Sequence, residues 1–307
     1  MAQVARRLDR AESVFFARET EYIKTRTYDA KSPELKGLRL VPRAGDLPAG
    51  IEQITYRRYF EAGEAKVIAD YAKDFPRVDV FAEEYTSKVV DIGDSYGYSI
   101  KEIRASIRSS KRLDQRRALN ARRTIERKLN HTTLRTDPDW GTYGLLDYPG
   151  ITETAFPADG TGGSKLWARK SVDQILRDLN ILLDAVNVPT SGIEEADTVL
   201  MPLPARNLLV NTRLGDNTIS LMKYIQDNFP QIKRIEWLNE LIGIGAGGTT
   251  RIMAGRFDNE HLENQIISDF EQLETEHEGG EYTIPCMATT GGIIIYYPMA
   301  FAYADGL

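Results

Sequence analysis

The segment at residues 51–98 alternates apolar and polar side chains as β-strands do, yet it has too few apolar residues to form a core. Ile54 and Tyr56 begin the pattern, and residues 77–81 and 86–92 alternate more clearly. An isolated hairpin is at best marginally stable, and this one is charged on both faces. We therefore expect a long hairpin that is stabilised by a partner surface.

Length and composition are those of an ordinary soluble globular protein. The chain has 307 residues, of which 42% are hydrophobic and 27% charged. The single cysteine, Cys286, excludes an intrachain disulfide and a cysteine-rich zinc site. The apolar run at 293–303 is interrupted by Pro298 and is shorter than the about 20 residues that span a bilayer. No secretory signal is visible at the start, so no membrane partner is expected.

Helix signals occur in the N-terminal and middle parts of the chain. Residues 5–23 suit a helix, whereas 28–50 contain three prolines and three glycines and predict an extended segment. A capping box of Ser99 and Glu102 precedes a helical region over residues 99–134. Its second part carries an apolar stripe of Ala118, Ala121, Ile125 and Leu129.

A second capping box, Ser171 with Gln174, opens a well-buried helix, and a further helix at 219–229 is stopped by Pro230. Strand patterns dominate elsewhere, at residues 198–210, 234–238, 250–254, 282–287 and 293–297. The order is strands, then helices, then mixed elements, which indicates an α+β fold.

No credible catalytic, cofactor or metal site emerges. The histidines, His131, His261 and His277, lack metal-ligand spacing, and Cys286 lies inside a strand pattern that suits a buried, inert thiol. The glycines at 243, 245 and 248 match the dinucleotide-binding spacing, but a strand pattern follows them where that motif requires a helix. We therefore expect no enzyme, no cofactor and no metal.

Charge is strongly segregated along the chain. Residues 101–135 hold 12 Lys/Arg and 3 Asp/Glu, a balance of +9, which leaves −15 for the rest of a chain whose net charge is −6. Residues 258–281 hold nine Asp/Glu. The basic helix is either a solvated face or a surface for phosphate or an acidic partner.

The sequence resembles the major capsid proteins of tailed phages, in the branch that shares the Hong Kong 97 shell fold with encapsulins. The order of short runs along nearly the whole chain carries the resemblance, and the most specific is GDSYGYS at 93–99. The others are FFARE at 15–19, YD at 28–29, PELK at 33–36, ITY at 54–56, DYA at 70–72, PRVDV at 76–80, EIRA at 102–105, LDQRR at 113–117, ARR at 121–123, DQIL at 173–176, IEW at 235–237, GG at 291–292, YYP at 296–298 and YADG at 303–306.

The resemblance implies a Hong Kong 97 type division of the chain. Its parts would be an N-terminal arm (1–50), an extended loop (51–98), a peripheral domain (99–189) with a spine helix at about 114–134, a mainly axial domain (190–285), and C-terminal strands that return to the body (286–307). Residues 28–50 should then be extended and ordered only by contact with other subunits.

The implied function is a structural one: a shell subunit that forms the hexamers and pentamers of an icosahedral head around double-stranded DNA. It would assemble in the host cytoplasm, with scaffold, portal and decoration proteins as further possible partners. Loop residues expected at subunit contacts are Arg57, Arg58, Glu61, Lys66, Arg77, Asp79, Glu83, Glu84 and Lys88. Expected inner-face DNA contacts are Arg116, Arg117, Arg123 and Arg127.

Two other functions fit parts of the sequence. An encapsulin-like cargo shell would share the fold but enclose a protein. A stand-alone nucleic-acid-binding protein would use the basic region 101–135 and would be a monomer in solution.

Overall fold

The computed structural model describes residues 34–45, 47–63, 65, 67, 77–109, 116–214 and 219–307. The helix predicted at 5–23 and the interface residue Lys66 lie outside these ranges, as does the side chain of Glu61. Residues Leu35–Leu307 form one compact unit.

The described elements mix helices with runs of consecutive strands and lack regular βαβ alternation, as in an α+β fold. The helices are α1 (Gly37–Leu40), α2 (Ile100–Ser109), α3 (Arg116–Leu134), α4 (Val172–Asn187), α5 (Leu203–Asn211) and α6 (Leu221–Asn228). The strands are β1 (Gln53–Ala62), β2 (Asp79–Lys88), β3 (Val90–Ser99), β4 (Thr152–Ala155), β5 (Thr198–Met201), β6 (Arg234–Trp237), β7 (Arg251–Gly255), β8 (Leu262–Gln272), β9 (Glu276–Glu278), β10 (Glu281–Ile295) and β11 (Phe301–Asp305).

The strands form three separate sheets. Strands β1 and β2 pair only with each other, antiparallel, from Gln53 opposite Lys88 to Ala62 opposite Asp79. A second sheet has the order β3-β10-β8, with β9 added to β10. A third has the order β4-β11-β7-β5-β6. The two larger sheets therefore divide the body, and the hairpin stands apart from both.

The five-stranded sheet carries the largest core. Helix α4 packs on it through Leu179, Leu182 and Val186, which are buried. The predicted capping box is confirmed, because the Ser171 hydroxyl accepts the Gln174 amide N–H and the Gln174 side chain accepts the Ser171 amide N–H. Local sequence and tertiary burial therefore agree at this helix.

The second sheet is covered by α3. Its buried stripe of Ala121, Ile125 and Leu129 packs with Cys286 and Ala288 of β10. The predicted apolar stripe of this helix is confirmed, and it fixes which side of α3 faces the protein.

The structure differs from the sequence pattern in three places. Strand β3 pairs with β10 in a body sheet, so the β1–β2 hairpin itself ends at Lys88. The strand predicted at 198–210 is β5 followed by α5, with Pro202 and Pro204 at the start of that helix, where a missing N–H is tolerated. Strands β8 to β10, which cover residues 262–295, join the sheet under α3. The five-stranded sheet therefore contains β5, β6 and β7 from the middle of the chain, together with β4 and β11.

The segment that precedes the hairpin is also different from the prediction. Residues 28–50 were expected to be extended and ordered only by other subunits, but within the described part of this segment α1 is helical and Leu40 and Val41 are buried. The Gly37 amide donates to the Asn130 side chain of α3 over 2.8 Å. The Lys36 ammonium lies over the Trp237 ring, 3.3 Å from its centroid. This part of the arm is therefore anchored to its own body.

Candidate assembly surfaces

Within its described residues, the β1–β2 hairpin contacts the body at its base. There the ring of Tyr56 meets that of Tyr296 edge-on, with centroids 5.2 Å apart, and the Ser87 hydroxyl donates to the Gly291 carbonyl over 2.8 Å. The guanidinium of Arg58 donates to the carbonyl of Tyr296. These three contacts within the subunit therefore fix where the hairpin leaves the body.

The outer half of the hairpin exposes apolar side chains on both faces. Phe60 and Phe81 are opposite each other in the antiparallel register and are 41% and 59% exposed. Tyr59 and Val80 on the other face are 65% and 61% exposed. Large apolar residues that project in this way mark a surface that meets another protein. The expectation of a hairpin that is charged on both faces is therefore incomplete, since the outer half of its two strands also exposes apolar side chains.

Of the charged residues predicted for subunit contacts, Arg58 is half-buried against the body, whereas the others whose side chains are described are exposed and some of them are engaged within the hairpin. Arg57 forms an ion pair with Glu84 across the strands, with Nε 2.8 Å from Oε1. Glu83 accepts a hydrogen bond from the Tyr85 hydroxyl over 2.6 Å. The remaining described members, Arg77, Asp79 and Lys88, are exposed. Such exposed pairs contribute little stability individually.

The basic helix α3 has a cationic side opposite its buried stripe. Arg116, Arg123 and Arg127 are separated by seven and four residues, which places them on one line along the helix, about 180° from the stripe at 121, 125 and 129. All three are exposed. The geometry thus brings together three of the four arginines predicted to face DNA.

The fourth arginine, Arg117, points along a different flank. Its guanidinium donates to both carboxylate oxygens of Glu102, over 2.8 and 3.1 Å, and to the Gly97 carbonyl over 2.6 Å. It also lies over the Tyr98 ring. Arg117 therefore joins α3 to β3 and α2, which the prediction of a DNA contact did not foresee.

The comparisons with known proteins agree with this architecture. A family model described as "Major capsid protein" matches residues 63–307, well over half of the chain. The chain belongs to the major capsid protein family.

Solved structures support the family by their fold. The capsid of Myoviridae phage XM1 matches this capsid protein with a TM-score of 0.80 and 17% identity, covering 96% of this chain and 99% of that one. The capsid of a native GTA particle matches with a TM-score of 0.67 and 11% identity, covering 96% and 98%. A virus-like particle from Pyrococcus furiosus matches at 0.51 and 14%, covering 88% and 95%. No curated protein sequence matches the chain.

Family membership makes this a structural protein of the phage head shell, located in the capsid of the virion. The predicted resemblance to phage major capsid proteins, the α+β capsid fold and the structural role in the shell are confirmed. Among the described helices, none is long and apolar enough to cross a membrane.

The cysteine, histidine and glycine positions considered above as candidate chemical sites are part of the packing and loops of the capsid protein. Cys286 is buried, and desolvation raises the pKa of its thiol. His261 is buried between Glu194 and Asp258, with its Nε2 2.9 Å from Glu194 Oε2. Gly245 lies in a loop ahead of β7, as predicted from the failed dinucleotide motif. Within the described ranges no group of three or more His, Cys, Asp or Glu side chains could hold a metal.

The polar network that supports the sheet centre was not foreseen from the sequence. The Arg251 guanidinium donates to both oxygens of Asp305, over 2.8 and 2.9 Å, and to the Leu146 carbonyl over 3.0 Å. The Tyr303 hydroxyl donates to the Leu145 carbonyl over 2.6 Å. In the sequence, only the YADG run at 303–306 drew attention to this region. No local pattern indicated that Asp305 pairs with a residue about 50 positions earlier.

Proposed function

We propose that this major capsid protein forms the hexamers and pentamers of a closed icosahedral shell around double-stranded DNA. The observation that carries the proposal is the outer half of the hairpin strands, where Tyr59, Phe60, Val80 and Phe81 are exposed on two faces. Burying those side chains against a neighbouring subunit would remove apolar surface from water, which is the dominant favourable term in association.

The hairpin acts, on this proposal, as the clamp between neighbouring subunits. Tyr56 and Ser87 hold its base on the body, so its outer half extends over a surface that its own subunit does not supply. The exposed charges Arg77, Asp79 and Lys88 then lie at the rim of the contact, where they contribute more to specificity and association rate than to affinity.

The division of the body into domains follows the sheets. We assign the sheet β3-β10-β8 with α3 to the peripheral domain, and the five-stranded sheet with α4, α5 and α6 to the axial domain. We assign residues 1–50 to the N-terminal arm, whose described part is anchored to the body through Lys36 and Gly37.

The line of Arg116, Arg123 and Arg127 would face the packaged DNA. Its side chains project from the side of α3 that is turned away from the sheet. Lys and Arg that neutralise phosphates release counterions and bind without reading bases, which suits a shell that accepts any genome sequence. Assembly in the host cytoplasm, with scaffold, portal and decoration proteins as further partners, completes this proposal.

Electron microscopy and nuclease protection test the proposal together. The protein is produced in bacteria with the genes that flank its own, and particles are purified by sedimentation. Closed shells of uniform size that protect double-stranded DNA from nuclease are the expected result. A monomer that binds DNA without forming shells contradicts the proposal, and shells that enclose a protein but no DNA favour a cargo shell.

A further inference from the structure

Helix α2 presents a cationic and apolar face that is largely exposed within the described part of the subunit. Its apolar residues Ile103 and Ile107 are four residues apart, and Ile107 is 75% exposed. Lys101, Arg104 and Arg108 form an adjacent line at spacings of three and four residues, and all are exposed. A helix with this amphipathic pattern on a protein surface fits a partner that is both apolar and acidic.

A surface of that kind occurs elsewhere on the same chain, in a segment that we name the acidic hairpin, residues 271–281. The nine residues 271–279 are exposed without interruption. The apolar side chain within it is Leu273, which is 45% exposed. Its five carboxylates are those of Glu271, Glu274, Glu276, Glu278 and Glu281.

The two surfaces adjoin each other on the subunit. The Ile100 amide at the start of α2 donates to the carbonyl of Gly280, in the turn between β9 and β10, over 3.0 Å. Within the described residues, however, none of the three α2 cations forms an ion pair with a carboxylate of the acidic hairpin. Opposite charges are therefore adjacent but not paired.

We infer that α2 of one subunit docks on the acidic hairpin of a second copy. The three cations would meet the carboxylates, and Ile107 would meet Leu273. Two basic faces, or two acidic hairpins, would repel each other, so each contact joins a basic face to an acidic hairpin. On this inference the contact is head-to-tail and repeats around a symmetry axis of the shell, as heterologous contacts do where the rotation between subunits closes. The inference rests on the proposed shell assembly and specifies one of its contacts.

Charge reversal on each side tests the contact. One variant carries Lys101→Glu, Arg104→Glu and Arg108→Glu, a second carries Glu274→Lys, Glu276→Lys and Glu278→Lys, and a third carries all six substitutions. Each three-residue variant should lose shell assembly, seen by sedimentation and microscopy, while the free subunit keeps its circular dichroism spectrum. The six-residue variant should assemble with itself but not with wild-type subunits, because its charges are reversed on both sides.

A charge-conserving variant, Lys101→Arg with Arg104→Lys and Arg108→Lys, is the matched control and should assemble normally. Should a reversed variant misfold, subunits with Arg104→Cys and Glu276→Cys supply a second test, since oxidation of shells should link different subunits into a ladder on a denaturing gel. The buried Cys286 does not compete in this reaction.

Normal assembly of both three-residue variants, failure of the six-residue variant to recover, or absence of the disulfide ladder overturns the inference. If the α2 variant assembles but loses DNA, the face meets nucleic acid and the inference is wrong. Wild-type subunits that form no shell would contradict the proposed function instead, so the two failures are distinguishable.

Discussion

Arg117 of α3 holds the carboxylate of Glu102 in α2 through two hydrogen bonds, Nη2 to Oε1 over 2.8 Å and Nη1 to Oε2 over 3.1 Å. The amide N–H of Ser99 adds a third, over 3.0 Å, as the predicted capping box requires. The bond to Arg117, followed by that to Ser99, lowers the pKa of Glu102 to about 2. One residue pair thus connects α3 with α2.

Replacing Arg117 with Gln should raise the pKa of Glu102 toward its ordinary value. Because the pKa is depressed in the folded state, the carboxylate stabilises the subunit above the unfolded pKa, and this contribution is lost as the pH falls toward about 2. Carboxyl ¹³C NMR titration of free subunits measures the change. A Glu102 pKa that stays near 2 in the variant would show that Ser99 alone is sufficient, and Lys128→Gln serves as a control away from the pair.

Replacing Arg116, Arg123 and Arg127 with Gln should leave shells intact but reduce genome retention. Three phosphate contacts per subunit would be lost, so the salt dependence of DNA retention should become shallower, and the deficit relative to wild type should be largest at low salt. Nuclease protection across a salt series measures this. The control is Arg122→Gln, whose guanidinium already pairs with Glu126 over 2.7 Å. Failure of the empty shells themselves would assign the three arginines to subunit contacts.

Replacing Phe60 and Phe81 with Ser should abolish assembly without destabilising the free subunit. Both side chains are solvent-exposed before assembly, and surface substitutions typically change the free energy of unfolding by less than about 0.5 kcal/mol. Urea unfolding and sedimentation measure the two effects. Tyr56→Ser is the contrasting variant, because its ring packs on Tyr296 and its loss should destabilise the subunit. Normal shells from the double variant would exclude the hairpin as a clamp.

Replacing Arg251 with Met should strongly destabilise the free subunit, because it leaves the carboxylate of Asp305 buried without its partner. Burial raises the pKa of Asp305, but hydrogen bonds from Arg251 and from the Ala246 amide outweigh it and lower the pKa overall. Removing one partner of a buried ion pair typically costs about 3–5 kcal/mol. Urea unfolding measures the loss. A combined Arg251→Met and Asp305→Leu variant should recover part of it, and no recovery would show that Asp305 has a further structural role.

Local sequence correctly predicted the parts of the fold that depend on neighbouring residues. The capping boxes at Ser99 and Ser171 and the stripe on α3 are each set within one or two helical turns, so they can be read without knowing the fold. The helix α5 was missed because Pro202 and Pro204 obscure its pattern, although both are tolerated at the first turn.

The sequence by itself determined that the chain is α+β, that the hairpin lacks a core of its own, and that charge is segregated along the chain. Only the tertiary structure decided that β3 belongs to the body, that Gly37 is anchored on Asn130, and that Arg117 pairs with Glu102 rather than projecting with Arg123. The physical reason is distance along the chain: β3 resembles β2 in its alternation, and its partner β10 lies almost 200 residues away. Periodicity specifies which face of an element is buried, but not which distant element covers it.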